Sequence, residues 1–224
     1  MISAVTVLKR VLLAFARNAV KRIKRMSAYL ISVTYVFMVL AVCVVLGKFF
    51  SQFYVRKVMH ILMASWWFIR LQFPDCEFLW TGPIVCAIII FFLRHKYNFK
   101  IGMGLFCLSL ALMTVFSYYF RTFVPYATAS VLILGYSDSL AAIVGYTYQL
   151  KKNINGNRTF IGSCVFFIVS LIILIILFIN KINILLLILI ALISAFAEAF
   201  VFPEYDNFFV PLIVFDLLII IKII

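Results

Sequence analysis

The chain has 224 residues, 67% of them hydrophobic and only 12% charged, with a mean hydropathy of +1.21. No soluble domain needs that much apolar surface, whereas a polytopic membrane protein needs it in every pass, so a soluble fold is excluded. The net charge of +13 comes from basic residues between apolar segments and in one leader. That pattern points to anionic lipid headgroups and anionic substrates as partners, not to nucleic acid.

Residues 1–26 form the leader, with seven basic residues (Lys9, Arg10, Arg17, Lys21, Arg22, Lys24, Arg25) and no acid. Its charges break up the apolar core that a cleavable signal needs. Apolar positions at roughly helical spacing predict a helix lying on an anionic membrane surface; a plain positively charged anchor is the alternative. Apolar segments follow at approximately 27–47, 55–73, 78–93, 101–120, 123–148, 161–180, 183–202 and 208–222. Each is near the ~20 residues that cross a bilayer, with 78–93 and the last one short. The expected fold is therefore all-α: one polytopic helical membrane bundle over residues 27–224, with seven to eight transmembrane segments. Pro74, Pro83, Pro125, Pro203 and Pro211 fall at or near segment ends, where lost backbone bonds cost least. Cys43, Cys76, Cys86, Cys107 and Cys164 show neither metal nor disulfide spacing and read as small core residues.

If all eight segments span, the connections near 48–56, 94–100, 149–160 and 203–207 share one side. They hold Lys48, Arg56, Lys57, Arg94, Lys96, Lys100, Lys151, Lys152 and Arg158, with Glu204 and Asp206. The opposite connections hold Asp75, Glu77 and a few isolated basic residues. By the positive-inside rule the first side is cytoplasmic. The same parity sends the basic leader to the other side, which conflicts with the rule.

Asp138 is a carboxylate inside an apolar segment. An ionisable residue at membrane depth is costly, so it marks a functional site facing the protein interior, or else joins two helices. Gly135, Ala141, Ala142 and Gly145 lie three, four and seven residues away and give that helix a small-residue face for close approach. Glu198 sits near the end of its segment and is followed at once by Glu204, Asp206 and Asn207. Arg56 and His60, four apart, share one face of the second segment beside Lys57. Carboxylates and an amide facing lysines and arginines suit a Mg²⁺-nucleotide: hard oxygens hold the metal while cations neutralise phosphate. Phosphoryl transfer asks little more of a protein than that positioning. Phosphate-binding glycine loops, HExxH and serine nucleophile elbows are absent, so a soluble nucleotide-binding fold is not available.

Taken in order, Arg56-Lys57-x-x-His60, Ser137-Asp138 with Ala141 and Gly145, Asn157-Arg158-Thr159-Phe160-Ile161-Gly162-Ser163, Glu198, and Asp206-Asn207-x-x-Val210-Pro211 resemble the polyprenol kinase family, which includes dolichol kinase, phytol kinase and the CTP-dependent diacylglycerol kinase. The resemblance covers approximately residues 52–215. It implies a multi-pass membrane enzyme that moves the terminal phosphoryl group of CTP, or another nucleoside triphosphate, to a lipid hydroxyl such as that of phytol, polyprenol, dolichol or diacylglycerol. By that resemblance Asp138, Glu198, Asp206 and Asn207 surround the metal and the reacting phosphoryl group, with Asp138 as the proton acceptor. Lys151, Lys152 and Arg158 hold nucleotide phosphates, Thr159, Gly162 and Ser163 shape the loop, and Arg56, Lys57 and His60 complete the site. Two positions depart from the family pattern. Ser137 stands where the family has Gly, and Ile161 stands where the loop usually carries Glu, which removes a possible metal or nucleotide contact.

Two competing readings are a cytidylyltransferase acting on phosphatidate and a non-enzymatic membrane protein or transporter. The ending expected of the first is missing, and the matching broken helices expected of the second are not seen. Asp216, midway along the last segment, is the feature a transport pathway would explain; pairing with a basic residue at the site is the alternative. The Ile-, Lys- and Asn-rich composition suggests an AT-rich bacterial genome and hence the cytoplasmic membrane, with the site on the cytoplasmic side.

Overall fold

In the computed structural model, residues 4–97, 99–148, 158–202 and 205–223 are described, and the fold they form is all-helical. The helices are α1 (Ala4–Leu46), α2 (Gln52–Gln72), α3 (Thr81–Tyr97, entered through a 3₁₀ turn at Glu77–Trp80) and α4 (Ile101–Tyr119). A single rod follows: α5 (Val124–Leu132), one π turn (Ile133–Ser137) and α6 (Asp138–Thr147). α7 (Phe160–Phe178), α8 (Ile184–Phe200) and α9 (Asp206–Ile223) complete it. Each of the eight apolar segments becomes helix, because in an apolar medium a chain satisfies its backbone only by bonding within the segment. Local chemistry sets the ends. Thr159 caps α7 by accepting the Gly162 N–H at 3.1 Å, and Asn183 caps α8 by accepting the Leu185 N–H at 2.9 Å.

Among the described residues, five helical stretches are long and apolar enough to cross a membrane: Asn18–Leu46, Glu77–Tyr97, Ile101–Tyr119, Arg121–Thr147 and Phe160–Phe178. α8 is a shorter apolar helix. α2 and α9 carry charges within their length, namely Arg56, Lys57 and Arg70 in the one and Asp206, Asp216 and Lys222 in the other, and neither is in that set.

The rod Arg121–Thr147 is the centre of the bundle. Of its most apolar stretch 67% is buried, against 22% for the corresponding stretch of α7, and it packs on α2, α4, α7 and α9. Two fully buried indoles tie α2 to its neighbours: Trp66 donates to Ser32 of α1 and Trp67 to Thr128 of α5, both at 2.9 Å. Buried tryptophan requires such a partner for its N–H.

Two features go beyond the expectations above. The leader is continuous with the first apolar segment: α1 runs unbroken from Ala4 to Leu46, about 65 Å of helix against a ~30 Å hydrocarbon core. Its early part lies at the end of the bundle that holds Asp75 and Arg121, where the Cys76 thiol donates to the Arg25 carbonyl at 3.7 Å. Basic residues therefore stand at both ends, Lys48, Arg94, Lys96 and Lys100 at one and Lys21, Arg22, Lys24, Arg25 and Arg121 at the other. Pro211 is the second departure. It sits inside α9 and not at its end, and having no N–H it leaves the Asn207 carbonyl without its usual helical partner.

Candidate functional site

At the end of the bundle where α2, α7 and α9 begin and α6 and α8 end, five helices bring their polar residues together. The π turn ends at Ser137, so Asp138 opens α6 at the point where the backbone is widened; single π turns are frequent at functional sites. Gly135 inside that turn allows the approach of α2. A Cβ there would overlap the Ala64 Cβ and lie 3.2 Å from the His60 carbonyl oxygen. The side chains of α2 consequently reach Asp138. Lys57 Nζ donates to Asp138 Oδ2 at 2.6 Å, and His60 Nδ1 lies 3.1 Å from the same oxygen. A carboxylate oxygen only accepts, so the proton is on Nδ1 and His60 Nε2 is left as an acceptor. All three residues are buried, Asp138 at 5% exposure. Ser139 adds a bond from its hydroxyl to the Lys57 carbonyl at 3.1 Å.

On the other flank of α6, the small-residue face meets the start of α7. A Cβ on Gly145 would strike Thr159 Oγ1 at 2.6 Å, and one on Gly162 would come within 3.1 Å of the Ala141 carbonyl. The face thus accommodates two helices, α2 at Gly135 and α7 at Ala141 and Gly145. Ser137, where the family pattern has glycine, is buried and pairs with the Ser170 hydroxyl of α7 at 3.1 Å.

Arg158, at the entrance to α7, joins the remaining acids. Its Nη2 bonds Asp206 Oδ2 at 2.5 Å and its Nε lies 3.4 Å from Glu198 Oε1. Asp206 also accepts the Asn207 N–H through Oδ1 at 2.7 Å. The two charge groups lie on packed neighbours, because α6, which carries Asp138, meets Thr159 and Gly162, the residues just after Arg158, through Ala141 and Gly145.

Arg56, Lys57, His60, Asp138, Arg158, Thr159, Gly162, Ser163, Glu198, Asp206 and Asn207 thus meet at this end. Lys151, Lys152 and Glu204 lie outside the described residues. Asp216 is not part of the cluster: it is exposed on α9, ten residues beyond Asp206, or about 15 Å along the helix. The pairing with a basic residue at the site that the sequence allowed is thereby ruled out.

Buried polar atoms without a partner form a signal that no sequence pattern reveals. Among the described residues these are Arg56 Nε, His60 Nε2, Arg158 Nη1, Ser163 Oγ, Asn207 Oδ1 and Arg70 Nη2. All but the last are on residues at this end of the bundle, on α2, at the start of α7 and at the start of α9. Buried polar atoms are normally satisfied, so their concentration at this end of the bundle marks a place suited to a polar ligand.

Among the described residues no three His, Cys, Asp or Glu side chains gather as a preformed metal centre. The donor set still suits Mg²⁺. This ion is commonly held by one or two carboxylates plus substrate phosphates and not by an all-protein cage, and the unpartnered Asn207 Oδ1 is a hard oxygen of the right kind.

No protein-family model matches this chain, nor does any curated protein or solved structure.

Proposed function

We propose that this protein is a polyprenol-kinase-like integral membrane enzyme, a lipid-alcohol kinase that takes the terminal phosphoryl group of CTP, or another nucleoside triphosphate, to a lipid hydroxyl. The observation that carries the reading is the set of unpartnered buried polar atoms on the residues gathered at this end of the bundle: two arginine nitrogens, an imidazole nitrogen, a hydroxyl and an amide oxygen. Arginine N–H groups match phosphate oxygens, and the amide oxygen with Asp206 and Glu198 matches a divalent cation.

In this reading seven or eight helical stretches cross the bilayer, and the site end faces the cytoplasm, where the nucleotide is. Arg158 holds the donor phosphates and is itself oriented by Asp206 and Glu198. Asp206 and Asn207 would hold magnesium brought in with the nucleotide, and that ion would neutralise charge on the phosphates. The lipid hydroxyl oxygen forms a bond to the terminal phosphorus as the bond to the bridging oxygen breaks, releasing the nucleoside diphosphate. The hydroxyl proton passes to His60 Nε2. Asp138 fixes the required tautomer through Nδ1, the arrangement by which a carboxylate orients a catalytic imidazole. Asp138 keeps its central place, with its oxygen engaged by Lys57 and His60 and the imidazole as the proton acceptor.

The test is label transfer by the purified full chain in lipid micelles, with CTP labelled at the α or the γ phosphate, a panel of lipid alcohols, and phosphatidate. Label from the γ position in lipid supports a kinase and names its alcohol. Label from the α position identifies a cytidylyltransferase and overturns the proposal. Silence with both CTP and ATP also overturns it.

A further inference from the structure

A second polar recess lies on the same end of the bundle, between α1, α2 and α3. It is a cleft of about 200 Å³, with Lys48, Gln52 and Lys96 among its lining and Cys43, Val44 and Phe99 as its apolar part. Cys43 and Phe99 are buried, at 1% and 6% exposure, while both lysines are exposed. The cleft is thus apolar in depth and cationic at the rim. None of its lining residues is acidic.

Local chemistry builds the rim. α1 stops at Leu46, and the turn through Gly47 brings the Gln52 amide nitrogen to 3.6 Å from where a Gly47 side chain would begin. Any larger residue at position 47 would therefore extend into the cleft. Lys96, in the last turn of α3, holds its ammonium 5.5 Å from the centroid of the Tyr97 ring. Immediately beside Lys48, Phe49 and Phe50 are 76% and 56% exposed. Lysines at helix ends beside exposed apolar rings combine a cationic head with an apolar surface, the pairing a lipid headgroup and its stem would meet.

We infer that this cleft is a binding site for the phosphate headgroup of an anionic phospholipid, with Lys48 and Lys96 on the phosphate, the Gln52 amide on a headgroup oxygen, and the lipid's apolar stem against Val44 and Phe99. The recess, about 200 Å³ with exposed lysines at its mouth, has room for a glycerophosphate-sized group. The apolar floor and the exposed Phe49 and Phe50 favour a lipid over a free anion. This site requires neither nucleotide nor Asp138, so it stands or falls independently of the kinase reading.

The test uses the purified full chain in neutral detergent, titrated with a fluorescent short-chain phosphatidylglycerol. Lys48→Gln/Lys96→Gln removes both rim charges. Gly47→Leu fills the cleft and keeps the charges. Arg22→Gln/Lys24→Gln removes two exposed charges from the opposite end. Each rim lysine contributes about fivefold to headgroup affinity, so the Lys48/Lys96 variant is expected to bind roughly 25-fold more weakly. Gly47→Leu should lose binding comparably, and the leader variant should match the wild type. Thermal unfolding in the same detergent confirms the fold, and Gly47→Leu decides the matter where charge removal destabilises the chain. Wild-type affinity in a folded cleft variant overturns the proposal. So does an equal loss in the leader variant, which means general charge attraction, or displacement by inorganic phosphate at equal concentration, which means a soluble-anion site.

Discussion

Lys57 and Asp138 are 81 residues apart in the chain, and their charged atoms are 2.6 Å apart. The same carboxylate oxygen receives His60 at 3.1 Å, so one buried acid organises two residues of a facing helix. The contact depends on the backbone: the π turn aims Asp138, and Gly135 lets α2 come close.

Asp138→Asn keeps the shape of the site but cannot hold Lys57 and His60 by charge. Transfer to lipid is expected to fall by two or more orders of magnitude, about the loss when a group fixing a catalytic imidazole is exchanged for its amide. The rate in the label-transfer assay checks this. Wild-type turnover would remove Asp138 from the mechanism.

The Lys57–Asp138 pair should also show in stability. Asp138→Leu alone leaves a buried ammonium unpaired, at a cost of about 3–5 kcal/mol. Adding Lys57→Met removes the stranded charge and should restore most of the thermal stability without restoring activity. Thermal unfolding of the two variants in one detergent separates these contributions; equal melting temperatures would show that the pair is not closed in solution.

Gly135→Ala tests the helix contact itself. The added Cβ would overlap the Ala64 Cβ, which forces α2 away from the π turn at about 1–3 kcal/mol. The companion change Ala64→Gly makes room. The double variant is expected to recover both stability and turnover, whereas a Gly135→Ala chain that behaves as wild type would contradict the close approach.

Arg158→Lys keeps the charge but not the planar fork that meets Asp206 and Glu198 at once. Affinity for the nucleotide should weaken, with KM rising about tenfold, the equivalent of one lost charge-assisted bond. Steady-state kinetics at saturating lipid measures it, and an unchanged KM would place the donor phosphates elsewhere.

At the far end, the Arg121 guanidinium bonded to Asp75 holds that carboxyl below its usual range. A depressed carboxylate adds stability above its unfolded pKa and loses it as pH falls through the folded value. The pair is exposed, so its effect is small. Wild type and Asp75→Asn should differ slightly in melting temperature at pH 7 and converge below about pH 4, near the free Asp value. A gap that persists in acid would assign the difference to something other than this pair.

The sequence by itself determined the succession of helices. Hydropathy is local, and a segment with no water to bond must be helical, so the apolar runs read at 55–73, 101–120 and 161–180 appear as Gln52–Gln72, Ile101–Tyr119 and Phe160–Phe178. It also singled out Asp138, Glu198 and Asp206, since acids are so few in an apolar chain that each stands out. What only the tertiary structure decided is who meets whom. Nothing local distinguishes the π turn at Ile133–Ser137 from ordinary helix, says that Lys57 faces Asp138, or leaves Asp216 outside the cluster. Those outcomes depend on where small residues such as Gly135, Gly145 and Gly162 let helices touch, and packing fixes that choice among segments far apart in sequence. The leader shows the same division: its charge was plain from composition, but its continuity with Leu46 and its place beside Asp75 follow from the path of one unbroken helix through the bundle.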